Sequence, residues 1–185
     1  MIGKFLRRLA ARVSRPVREY HPVPITDEEV LAAIRSVPLH HLASILKDCK
    51  ITRVENAVAA GTTEQISDTV DMSGYDSVCF VQLLGDVDNT SVVTLTVKSN
   101  ATDITTGGTT EKAGTATTAT ATSADNKLIV VDVLRPSQRY VFASLTRATA
   151  NAVLDGLIAI QYGTKSLPVT QGTTVLTGDL GGPVN

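Results

Sequence analysis

The sequence predicts a mainly β protein, an antiparallel β-sandwich or jelly roll with a helical N-terminal arm, and three observations lead there. The apolar spacing changes from helical to alternating near Lys50. Beyond that point short strand-like runs follow one another with no helix signal between them. Gly61, Gly74, Gly85 and Gly163 punctuate the runs. Many short strands without intervening helices pack sheet on sheet, because βαβ units need a helix between successive strands.

The arm comes first. Ile2, Phe5, Leu6, Leu9, Ala10 and Val13 recur at helical spacing and share one face, while Lys4, Arg7, Arg8, Arg12 and Arg15 gather on the other. This basic amphipathic helix stops near Pro16, and His21-Pro22-Val23-Pro24 reads as a stiff extended link. A capping box, Thr26-Asp27-Glu28-Glu29, opens a second helix with Val30, Leu31 and Ile34 as its apolar stripe. After Pro38 a third helix follows, with Leu39, Leu42, Ile45 and Leu46 as its buried face. Residues 1–48 are thus an arm and a helical hairpin.

The body spans 49–163, with strands expected over 50–58, 77–84, 92–98, 127–134, 139–146 and 156–162. In 92–98 the alternation is cleanest: Val93, Leu95 and Val97 face one way, Thr94, Thr96 and Lys98 the other. Residues 101–122 hold ten threonines and few large apolar side chains, so they read as an exposed hairpin or long loop. The polar, glycine-containing stretch 164–185 reads as an extended C-terminal arm.

Composition narrows the function. Aromatics make up 4% and Trp is absent, which argues against a stacking platform for single strands or sugars. Residues 1–20 carry six basic side chains against one acidic, a net of +5, so the rest of the chain carries −6 of the total −1. A basic arm on a mildly acidic body points to an anionic partner surface. Cys49 and Cys79 are too few for a disulfide framework and read as buried thiols in a reducing compartment. Arginines interrupt every apolar stretch near the start, and no 18-residue apolar run follows, so neither a secretory signal nor a spanning helix is expected. Asn89-Thr90-Ser91 and Asn100-Ala101-Thr102 match the glycosylation pattern by chance in a threonine-rich chain.

The search for catalytic groups returns little. His21, His40 and His41 all precede the body, and His40 and His41 point about 100° apart on a helix, so they do not chelate one ion together. Asp86 and Asp88 have the spacing of a calcium loop but lack its glycine and terminal Glu, and read as a polar turn. Asp71 and Asp76 flank Met72-Ser73-Gly74-Tyr75, where turn capping is the simpler account. No phosphate-binding glycine loop is found. No catalytic residue, cofactor or metal is therefore expected.

Three runs resemble a known family. "KITRVENAVAAGTTEQISDTVDMSGYDSVCFVQLLGDV", "NKLIVVDVLRPSQRYVFASLTRATANAVLDGLIAIQYG" and "PVTQ" look like small virion structural proteins of tailed bacteriophages. There a "GYD" turn leads into an apolar strand, an "RP…RYV" strand pair follows, and "AIQYG" closes the body. The resemblance covers roughly residues 47–171 and implies a head decoration or cement subunit, made in the host cytoplasm and resident on the capsid. It brings no catalytic residue, and residues 1–46 depart from its short N-terminus.

Attachment through the arm is thus an expectation from the arm's own residues. Ile2, Phe5, Leu6, Leu9 and Val13 would bury against a partner, with Lys4, Arg7, Arg8 and Arg12 facing its acidic surface. The expected partner is the major capsid protein or another virion protein, ahead of nucleic acid or membrane. A homo-oligomer, trimer or dimer, is expected with it. The alternatives are a tail or head-to-tail connector component, or a receptor- or glycan-binding jelly roll with 101–122 as its contact loop.

Overall fold

The computed structural model describes residues 44–111, 116–120 and 122–176. All of them lie in one compact unit, Ala43–Asn185. The helices expected over 2–13 and from Thr26 onward, and the arm residues Ile2, Lys4, Phe5, Leu6, Arg7, Arg8, Leu9, Arg12 and Val13, lie outside the described residues.

A single helical turn, α1 (Ile45–Asp48), runs into β1 (Lys50–Glu55). There follow β2 (Val58–Gly61), β3 (Gln65–Ile66), β4 (Val70–Asp71), β5 (Ser77–Val87), β6 (Val92–Asn100), β7 (Thr109–Thr110), β8 (Ala116–Thr120), β9 (Leu128–Leu134), β10 (Tyr140–Ala148) and β11 (Ala152–Tyr162). Strands occupy all six expected stretches, though 50–58 is broken at Asn56-Ala57 into β1 and the start of β2. Ile45 was expected on a buried helix face but is exposed, and Leu46 is half-buried. The turn is held through its backbone instead: the Leu46 and Lys47 carbonyls accept from Gln171 Nε2 at 2.9 Å and Val169 N at 2.7 Å.

The strands form two antiparallel sheets. The first has the order β1-β11-β5-β9, with β2 continuing the line of β1 along β11. The second has the order β3-β10-β6-β7, with β4 also on β10 and β8 also on β6. The pairing is nested: β1 and β2 meet β11, β3 and β4 meet β10, β5 meets β9, and β6 meets β7 and β8. The chain is therefore one long hairpin, closed on itself where β11 joins β5 and β10 joins β6.

Period-two alternation sends one set of side chains between the sheets. Val93, Leu95 and Val97 of β6 pair in register with Arg147, Leu145 and Ala143 of β10. Opposite them lie Val78, Phe80 and Leu84 of β5, Leu154 and Leu157 of β11, and Ile129, Val131 and Val133 of β9. Leu95 is fully buried, as its place in the alternation requires. Gly156 sits at φ +125 in an irregularity of β11, where a Cβ would come 3.3 Å from the Glu55 carbonyl oxygen, so a side chain there is strained in backbone and space alike.

Arg147 stands in a core position of β10 and is 5% exposed. Its guanidinium donates to the carbonyls of Thr63 (3.0 Å), Ala59 (2.9 Å) and Ala152 (2.8 Å), tying the β2–β3 connection to the start of β11. A planar fork with several fixed donors suits this task better than a lysine ammonium.

Two stretches differ from expectation. Part of the threonine-rich segment joins the second sheet, since β7 and β8 both pair with β6. The C-terminal segment, described as far as Leu176, folds back along β1. There Gln171 Oε1 accepts from Ile51 N at 2.9 Å and Thr174 Oγ1 from Arg53 N at 3.2 Å. Side chains thus satisfy edge amides that would otherwise face water.

Candidate interaction surface

The outward faces of the two sheets differ in kind. On the second sheet β6 and β10 turn Thr94, Thr96, Lys98 and Thr146 outward, the solvated alternation usual for an antiparallel sheet. Of its two outward aromatics Tyr140 is half-buried, and Phe142 is buried beside Gly108, where a Cβ would lie 3.1 Å from its ring.

The first sheet is apolar outside as well as inside. Register carries its outward residues across four strands in rows. One row reads Arg53–Ile158–Val81–Val130 and the next Ile51–Ile160–Cys79–Asp132. A third runs Gly156–Leu83–Leu128, and a fourth Tyr162–Ser77–Leu134. On β11 and β5 Ser77 and Gly156 are buried and the other residues of these rows half-buried, whereas Leu128, Val130 and Leu134 on β9 are 58%, 49% and 72% exposed. Tyr162 Oη donates to Asp132 Oδ1 at 2.8 Å, so the one acid in β9 is turned toward its own sheet. At the β1 side a groove of about 410 Å³ opens between Ile51, Leu83, Ile158 and Leu176. Contiguous apolar surface of this kind makes the first sheet the candidate contact face.

The phrases that carried the resemblance meet at one end of the sandwich. Asp76 N donates to the Tyr162 carbonyl (3.2 Å), Arg135 N to the Asp76 carbonyl (3.0 Å) and Met72 N to the Arg139 carbonyl (2.8 Å). Arg139 grips Asp71 with two bonds, Nε to Oδ1 at 2.8 Å and Nη2 to Oδ2 at 2.7 Å. The hydrogen bond from this guanidinium is the main reason the Asp71 carboxyl lies below the ordinary carboxylate range, against a smaller opposing effect of burial. Asp71 Oδ1 also accepts from Ser73 N at 2.9 Å, the turn capping expected of it. A cleft of about 370 Å³ lies between Tyr75, Asp76, Arg135 and Arg139. Apart from the local Ser73–Asp71 cap, the polar contacts just described join segments distant in sequence, so these residues build the frame.

The other candidates separate. His21, His40 and His41 lie outside the described residues, as does the arm. Asp88 belongs to a turn, its carbonyl accepting from Ser91 N at 2.9 Å, and Asp86 is exposed. Among the described residues no three His, Cys, Asp or Glu side chains gather in a way that would hold a metal ion. Cys49 and Cys79 are half-buried and unpaired with each other, not fully buried as expected. Burial raises both thiol pKa values, helped by Asp48 at Cys49 and by Asp132 at Cys79.

Sequence reasoning passed over the apolar sheet face. The signal was there: "SVCFVQLL", "LIVVDVL" and "GLIAIQY" are nearly continuous apolar runs, and such runs mean strands that meet apolar neighbours on both faces. No known protein family matches the chain, and no curated protein matches it.

Proposed function

We propose that the protein is a virion structural subunit of a tailed bacteriophage, a decoration or cement protein that stabilises the head by contact with the major capsid protein. The observation that carries this reading is the outward apolar face of the first sheet, with Ile158, Ile160, Val81, Leu83 and Val130 side by side. Fully burying a large apolar side chain contributes roughly 1.5–3 kcal/mol, so a face of several such residues favours a protein surface over water. The resemblance of residues 47–171 to small phage virion proteins supplies the setting.

The sandwich is read as a jelly roll. Support comes from the nested pairing, in which the first strands meet the last and the halves of one long hairpin roll into two sheets. Residues 1–20 are the second attachment element, with Ile2, Phe5, Leu6, Leu9 and Val13 burying against the capsid and the basic side chains orienting the approach. The subunit is a homo-oligomer on the particle.

Purified virions separated into heads and tails test the reading. The protein should fractionate with heads, in a copy number that follows the number of capsomers. Its absence from heads, or its recovery with tails alone, rejects the proposal.

A further inference from the structure

We propose that β9 is a self-association edge, through which two copies pair antiparallel so that their first sheets run on as one. The inference rests on the reading of the protein as one that works through buried surface, and it names the surface that meets a second copy.

The backbone provides the first argument. β9 pairs with β5 alone, and among the described residues no other backbone group bonds to Ile129–Val133. Half of its amides and carbonyls therefore point away from the sheet, a template for another strand. The protections that natural edges carry in their sequence are missing: "LIVVDVL" holds no Pro, Lys or Gly, and its one charge, Asp132, is engaged by Tyr162. Of the eight large hydrophobic side chains exposed among the described residues, three stand on this short strand, which singles it out from the other edges.

The remaining edges decide how many copies join. Along β1 the amides of Ile51 and Arg53 are taken by Gln171 and Thr174 of the same chain. Along β2 the Ala59 carbonyl is taken by Arg147. In the second sheet β3, β4 and β7 are two residues each, too short to hold a partner strand, and β8 reads ATTAT, with no large apolar residue to bury against one. The first sheet can thus grow at β9 only, and growth there closes after two copies, as an isologous pair, and does not run on into a filament.

The strand also complements itself. A two-fold axis at Val131 sets Leu128 opposite Leu134 of the second copy and Val130 opposite its Asp132. The two most exposed leucines of β9 then cover each other at both ends of the contact. The rows that end at Val130 and Leu128 continue into the second copy, doubling the apolar face on one side of the joined sheet.

The test uses the full chain, its mass in solution followed by light scattering over a concentration series, with amide exchange measured in parallel. The wild type should reach twice the protomer mass, and the β9 amides should gain protection as it does. Val130→Lys and Leu134→Lys place charges at exposed positions of the edge. Both should return the protomer mass with unchanged circular dichroism. A wild type that stays monomeric, a mass above two protomers, or a dimer that survives both substitutions overturns the proposal. So does a monomer whose β9 amides are protected at every dilution, because its own chain then fills the edge. A monomer found on heads rejects edge pairing and leaves the virion reading standing, whereas a β9 dimer absent from particles does the reverse.

Discussion

Asp71 and Arg139 show what a residue-level reading reaches and where it stops. That Asp71 caps its own turn was legible, because an Asx turn needs only the next two residues. That Arg139 clasps it was not, since the partner lies 68 positions away and is brought there by β4 and β10 pairing at Tyr140 and Asp71. The pair yields a pH prediction. A carboxyl whose pKa falls on folding adds stability above its unfolded value, roughly 3.9, and that stability is lost as the pH falls through the lower folded value. Asp71→Asn should therefore lower the urea midpoint at neutral pH, and its difference from the wild type should shrink below about pH 4. The two side chains are 55% and 42% exposed, so water screens the pair and the shift will be small. A difference that widens in acid would contradict this assignment.

At the scale of elements, the long strands were readable and the short ones were not. β6 alternates so regularly that both its existence and its inward face follow from period two alone. β3, β4 and β7, two residues each, exist only because β10 or β6 lies alongside, and no local pattern encodes that. In β5, β9 and β11 the nearly continuous apolar runs identified strands but hid which side faces out, and with it the candidate surface. The C-terminal segment was equally opaque, because Gln171 works through backbone groups of α1 and β1 more than a hundred residues away. Two substitutions separate global from local roles. Leu95→Ala empties a fully buried site and should cost about 2–5 kcal/mol in chemical denaturation. Gln171→Ala removes three bonds at an accessible edge, so the Ile51 amide should lose exchange protection while the denaturation midpoint moves far less. Equal losses of global stability in both variants would show that the C-terminal segment is part of the cooperative core.

For the whole molecule the question is what the body needs from the residues before it. The core cluster of the described residues runs from Val54 to Ala159 and is closed by the two sheets, with β1 and β11 joining the two ends of the sandwich at Lys50 and Gln161. Sheet on sheet supplies both walls of that core, and the residues that build it all lie in the unit Ala43–Asn185. The arm has the opposite character. The helix that the spacing over 2–13 predicts would be marginal in water at this length, and its apolar face would gain order only by burial. The truncated chain should therefore unfold in one cooperative step with a Tm close to that of the full chain, and should keep the β9 edge. Its attachment to undecorated heads should fall steeply, because Ile2, Phe5, Leu6, Leu9 and Val13 are gone while the apolar sheet face remains. Calorimetry and a particle co-sedimentation assay measure the two halves of the prediction. A collapsed body would mean that residues 1–42 complete the fold, and undiminished binding would pass the whole of attachment to the sheet face.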